Sequence, residues 1–118
     1  MHSKVLIIGF PVGRFARIAT VNELPEGEVR VVAVAGRRLA LFHLADGFHA
    51  TDATCSPHGA PLERVTILDE QTLCPWHGAP LDVATGRCAA VQGQVARSYP
   101  LRIANGGVYL DLRGLRGR

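Results

Sequence analysis

Two short segments hold the residues best suited to chemistry in this 118-residue chain. The first is Cys55-Ser56-Pro57-His58-Gly59-Ala60-Pro61-Leu62. The second is Cys74-Pro75-Trp76-His77-Gly78-Ala79-Pro80-Leu81-Asp82. Fifteen residues separate His58 from Cys74, and each Cys/His pair is followed by Gly-Ala-Pro-Leu. Two thiolates and two imidazoles make four metal ligands, and both donor types suit zinc or iron–sulfur chemistry. One Cys-x-x-His would carry little weight. Two of them with matching tails are a strong signal for a metal centre held between paired loops.

At these residues the sequence resembles the Rieske [2Fe-2S] family, which binds one iron through two cysteines and the other through two histidines. The second segment carries the likeness without exception: Cys74 and His77 within Cys-Pro-Trp-His-Gly-Ala, then Leu81-Asp82 and Thr85-Gly86. Arg17-Ile18-Ala19 and Glu23-Leu24-Pro25-Glu26-Gly27 are similar to the family's opening. Tyr99-Pro100-Leu101-Arg102-Ile103 is similar to its closing strand, so the likeness runs from about Phe15 to Leu112. The first segment departs from the pattern. Pro57 stands in the usual histidine slot, and His58 comes one residue later. One residue moves a side chain by about 3.3 Å along extended backbone, a step that a loop can absorb.

The resemblance implies a ligand set of Cys55, His58, Cys74 and His77 around a [2Fe-2S] cluster of Rieske type. It places Cys55 and Cys74 on the inner iron, and His58 and His77 on the outer, solvent-facing iron. High-potential members of the family add two cysteines that cross-link the loops and a serine that bonds to the cluster. Here Ala60, Trp76 and Ala79 occupy those positions. The likeness is therefore to the soluble, lower-potential type. It implies a ferredoxin that carries one electron from a flavin reductase to a terminal, ring-hydroxylating oxygenase. Two alternatives stay open: a small Rieske subunit of a nitrite-reductase-like complex, and an interaction module in which the same four ligands hold zinc or nothing.

No catalytic apparatus is legible beside these loops. The chain shows no nucleophile–base pair and no second iron site of two histidines and a carboxylate, so an electron-transfer component is expected, not a self-sufficient enzyme. His43 and His49 have no cysteine at ligand spacing and are expected to be satisfied within the fold. Cys88, the third cysteine, is expected to be a small buried residue, since three cysteines make no disulfide framework.

Composition narrows the function classes further. A 47% hydrophobic content excludes a disordered chain. The net charge of +3 lies in the tail, where Arg113, Arg116 and Arg118 sit. Without them ten basic residues face ten acidic ones. No basic stripe interleaved with aromatics appears, so no nucleic-acid partner is expected. No apolar run approaches the roughly 20 residues that span a bilayer, and a cytoplasmic protein without a membrane partner is expected. Val5-Leu6-Ile7-Ile8-Gly9 resembles the entry to a dinucleotide fold, but the three-glycine fingerprint is missing. An extra strand covering a sheet edge is the simpler reading.

The elements that must position the loops all carry strand character. Valine-rich and alternating segments are predicted at 14–19, 29–35, 38–44, 48–54, 65–68, 95–103 and 108–112. Turns are predicted at Gly36-Arg37, Asp46-Gly47, Asp69-Glu70-Gln71 and Asn105-Gly106-Gly107. The fold class is therefore all-β, a Rieske-like antiparallel sandwich or barrel. A single domain over 1–118 is expected, with an inserted two-loop cluster-binding subdomain at about 52–90. Residues 1–13 form an N-terminal extension, and 113–118 a basic, solvated tail.

Overall fold

The computed structural model describes residues 5–7, 11–12, 14–55, 59, 61–68, 71–75, 78–88 and 94–115. Among them the regular structure is strand and short 3-10 turn, as the all-β expectation requires. The strands are β1 (Val5–Ile7), β2 (Pro11–Val12), β3 (Phe15–Thr20), β4 (Glu28–Val34), β5 (Arg37–Leu44), β6 (Gly47–Asp52) and β7 (Thr66–Leu68). There follow β8 (Gln71–Leu73), β9 (Pro80–Asp82), β10 (Arg87–Cys88), β11 (Ser98–Tyr99), β12 (Leu101–Ala104) and β13 (Gly107–Asp111).

They form three sheets, ordered β1-β4-β5-β6-β11, β12-β13-β3-β2 and β10-β9-β8-β7. The first two are the basal sheets, and one core joins them. Ile18 of β3, Val32 of β4, Leu39 and Leu41 of β5, Tyr99 of β11 and Leu110 of β13 all pack into it. The third sheet is the small one that carries the second Cys/His loop.

Strand β5 explains how the small sheet is seated. Leu39 and Leu41 point into the basal core. Their neighbours Ala40, Phe42 and Leu44 point to the opposite face, where they join Cys55, Leu62, Cys74, Leu81, Val83 and Cys88. Successive strand side chains alternate between faces, so a run that is apolar at every position is buried on both. Leu39 through Phe42 is such a run, each residue at 1% exposure or less. One strand thereby serves as floor to the metal-loop region and wall to the basal core.

Most pairs are antiparallel, and β1 is the exception. It runs parallel to β4, with Val5 opposite Val31, at the edge of the first sheet. Two turns fall one residue earlier than predicted. Ala35 and Gly36 make the first, with φ values of 52° and 79°, and Arg37 already pairs with Val34. A two-residue turn of the hairpin type needs positive φ at both positions, and here an alanine accepts it. The second turn is Ala45-Asp46, with Gly47 paired to Leu44. The predicted Asp69-Glu70 turn lies outside the described residues.

The predicted strand 95–103 is broken. Ser98–Tyr99 pairs with β6 in the first sheet, and Leu101–Ala104 pairs with β13 in the second. Pro100 stands at the break. It has no N–H to give a ladder and its φ is fixed, so the chain turns the corner between sheets there. The end of the chain also differs from a solvated tail as far as it is described. Leu112–Leu115 is a 3-10 turn, and Leu112 and Leu115 pack against the basal core. Residues 116–118 lie outside the described residues.

Candidate metal centre

The two loops repeat at an interval of nineteen residues, which pairs Cys55 with Cys74, Gly59 with Gly78, Pro61 with Pro80 and Leu62 with Leu81. The backbone repeats at the same interval. Gly59 N–H donates to the Cys55 carbonyl at 2.6 Å, and Gly78 N–H donates to the Cys74 carbonyl at 2.8 Å. Both glycines have φ of 71°. That is left-handed backbone, which a side chain disfavours. At the stems Thr54 bridges to Pro61, and Leu73 pairs with Pro80. Leu62 and Leu81 then anchor both loops in the same apolar cluster.

Cys55 and Cys74 are each 3% exposed and lie in that one cluster. The structure therefore brings the two predicted cysteine ligands to a common buried site. His58 and His77 lie outside the described residues, as does Trp76. Each histidine directly precedes its positive-φ glycine. Among the described residues no group of three His, Cys, Asp or Glu side chains gathers to hold a metal.

The remaining chemistry-bearing residues are satisfied locally. The His43 ring meets the Leu24 carbonyl at 2.7 Å and stacks on Phe48 with centroids 3.9 Å apart. His49 meets Asp46 at 2.9 Å. That hydrogen bond is the main cause that holds the Asp46 carboxyl below its ordinary value. Cys88 is buried opposite Leu81 in the small sheet. All three cysteines are thiols.

One constellation near the first loop escaped the sequence reading. The Tyr99 hydroxyl donates to Asp52 Oδ1 and accepts from Arg37 Nη1 at 3.0 Å. Burial, and then the bond to Asp52, push that hydroxyl above the ordinary phenol range. The partners lie 47 and 62 residues apart, so no local pattern could reveal them.

The family model of the Rieske [2Fe-2S] domain matches residues 14–102. The chain belongs to the Rieske [2Fe-2S] family. A relative from Pseudomonas aeruginosa, the ferredoxin component of a naphthalene 1,2-dioxygenase system, is 39% identical over 93 residues. The match covers 76% of this chain and 88% of the relative. Among solved structures, the Sphingomonas yanoikuyae B1 ferredoxin superposes with a TM-score of 0.69 at 29% identity, covering 80% of this chain and 95% of that one. A chain from a complex of oxygenase and ferredoxin in carbazole 1,9a-dioxygenase does so with a TM-score of 0.69 at 29% identity, covering 84% and 94%.

The Rieske cofactor is a [2Fe-2S] cluster, and the described residues fit its two-cysteine end. A pair of ferric ions, two sulfides and two thiolates sum to no net charge. Such a group enters an apolar pocket at far lower cost than an isolated charge would. The pocket around Cys55 and Cys74 is apolar: Ala40, Phe42, Leu62, Leu81 and Val83 line the same cluster.

Proposed function

We propose that this chain is a one-electron carrier, the ferredoxin of a ring-hydroxylating dioxygenase system. It takes electrons from a flavin-dependent reductase and delivers them to a terminal oxygenase. The observation that carries this reading is the pair of equivalent loops that bury Cys55 and Cys74 together, in a chain that covers 88% of a dioxygenase ferredoxin component.

Cys55 and Cys74 are assigned to one iron, His58 and His77 to the other. The matched backbone of the loops supports His58 over its neighbour Pro57, which has no donor atom in its side chain. With Gly59 and Gly78 in the same conformation, His58 and His77 hold the same place in their loops. Histidine ligation leaves the bound cluster less negative than four cysteines would, and so supplies a higher reduction potential. The chain's own contribution is to hold and shield. Buried thiols anchor the site, and Gly59 and Gly78 let the backbone fold back tightly beside each cysteine. Pro61 and Pro80 limit the freedom of the loop ends. The same assignment makes 1–118 one domain, with its cluster-binding part at about 52–90. Buried thiols without a disulfide fit a reducing compartment such as the cytoplasm. No helix among the described residues is long and apolar enough to cross a membrane.

Iron, acid-labile sulfide and zinc per chain test the reading, together with the spectrum of dithionite-reduced protein and the rate at which that protein reduces a ring-hydroxylating oxygenase. Wild type is expected to hold a two-iron cluster that becomes paramagnetic on reduction and passes its electron on. Cys55→Ser, Cys74→Ser, His58→Ala and His77→Ala are each expected to lose it. A full cluster with unchanged spectra in His58→Ala removes His58 from the ligand set. Zinc in place of iron in the wild type sinks the carrier reading.

A further inference from the structure

Strand β6 ends at Asp52, three residues before Cys55. Every polar group of Asp52 that faces β11 is engaged there. Its N–H donates to the Arg97 carbonyl at 2.9 Å, and its Oδ2 accepts the Arg97 N–H at 3.0 Å. Its Oδ1 accepts the Tyr99 hydroxyl, which in turn takes the Arg37 guanidinium at 3.0 Å. The Arg97 guanidinium stands 5.5 Å over the Tyr99 ring. Residues of β5, β6 and β11 thus converge on one carboxylate and one phenol.

From Asp52 the chain enters the stem of the first loop. The Ala53 carbonyl accepts the Leu62 N–H at 2.8 Å, and Thr54 bridges to Pro61. Among the described residues these two contacts are the pairing of the first loop's stem. The second loop is built otherwise. Its stem is the pair β8–β9, flanked by β7 and β10 in a continuous sheet. The position equivalent to Asp52 there is Gln71, an exposed residue of β8 that pairs with Leu68 of β7.

Packing alone does not require the polar pair. Tyr99 is 4% exposed within an apolar core, where a phenylalanine ring would fill the same space. A buried hydroxyl has to find a partner or lose free energy, so a hydroxyl here implies a directional constraint. Hydrogen bonds to a carboxylate are among the stronger ones.

We propose that Asp52 and Tyr99 form a clamp that positions the first loop on the basal sheets and so sets where Cys55 stands. The pair are positioning residues: neither touches the cluster. The clamp does for the first loop what the β8–β9 ladder does for the second. Its consequence for the cluster rests on Cys55 being a ligand, as proposed above.

The test compares amide hydrogen exchange and cluster release in wild type, Tyr99→Phe, Asp52→Asn and a control, Leu110→Ala. In Tyr99→Phe the Gly59 and Leu62 amides are expected to exchange about tenfold faster, the scale of one hydrogen bond to a charged group, with Gly78 unchanged. Release of iron to a chelator is expected to quicken, and the g values of the reduced protein to shift. Asp52→Asn leaves one acceptor oxygen for the two donors, the Tyr99 hydroxyl and the Arg97 N–H, and is expected to show a change at least as large at Gly59 and Leu62. Leu110→Ala lowers stability through the basal core and is expected to move all three amides alike. Equal changes at Gly59, Leu62 and Gly78 in Tyr99→Phe, or none at all, overturn the clamp. A wild-type protein that holds no cluster overturns the carrier reading and the consequence for Cys55, while the contrast between amides still reads the clamp itself.

Discussion

The two Cys/His loops are the same local object held by different means. Each has a buried cysteine, a glycine at φ 71° that bonds back to it, a proline and a buried leucine. The second loop closes a strand pair inside a four-stranded sheet, so its support is local ladder. Among the described residues the first closes on the Thr54–Pro61 bridge and the Leu62 N–H to Ala53 carbonyl bond, and its polar support comes from Asp52, Arg97 and Tyr99 across the basal sheet. Matching loop motifs therefore do not imply identical support. A loop needs a fixed stem, and any rigid neighbour can supply one.

The support of the second loop is expected to fail most sharply at Gly86. Its N–H donates to the Asp82 carbonyl, and its own carbonyl accepts from Val95 and Ala96. A methyl group there would lie 1.7 Å from the Ala96 carbonyl oxygen, at a φ of 79°. Overpacking against backbone and positive φ together predict a loss of about 3 kcal/mol or more for Gly86→Ala. Urea unfolding checks this. A loss under about 1 kcal/mol would mean that the corner at Gly86 is not rigid.

A smaller effect sharpens the comparison of the loops themselves. Gly59 and Gly78 share their φ, and a methyl group on either meets nothing within 4 Å. Only backbone strain separates alanine from glycine at these sites, so Gly59→Ala and Gly78→Ala are each expected to cost about 1–2 kcal/mol, and the same amount. Unequal losses in urea unfolding would show that the two loops do not share one backbone.

The smallest expected effect is a pH dependence at the clamp. The Tyr99 hydroxyl is raised above the ordinary tyrosine value by burial and by Asp52. Its contribution is complete below about pH 10, where the phenol is neutral in both states. As pH rises further the unfolded chain ionises first, and stability falls until the raised folded value is passed. The difference in stability between wild type and Tyr99→Phe should therefore shrink as pH rises above about 10, against a constant difference at neutral pH. Paired urea titrations at several alkaline pH values check it, and a constant difference throughout would remove the Tyr99–Asp52 linkage.

Residue types and spacing were enough to determine much of this protein. Four candidate ligands, two matched loops and turn signals such as Asn105-Gly106 are local features, and local features are written in order along the chain. Asn105 and Gly106 do adopt φ of 50° and 77°, as a two-residue hairpin turn requires. The alternation of strands was equally legible, and with it the all-β class. Tertiary structure decided what depends on partners distant in sequence. It split 95–103 at Pro100 between two sheets and made β5 a shared wall by burying both of its faces. It also joined Asp52 to Tyr99 and Arg37. Each of these is a contact between strands whose separation along the chain carries no periodic signal. Their energy comes from burial and hydrogen bonds that exist only once the sheets have met.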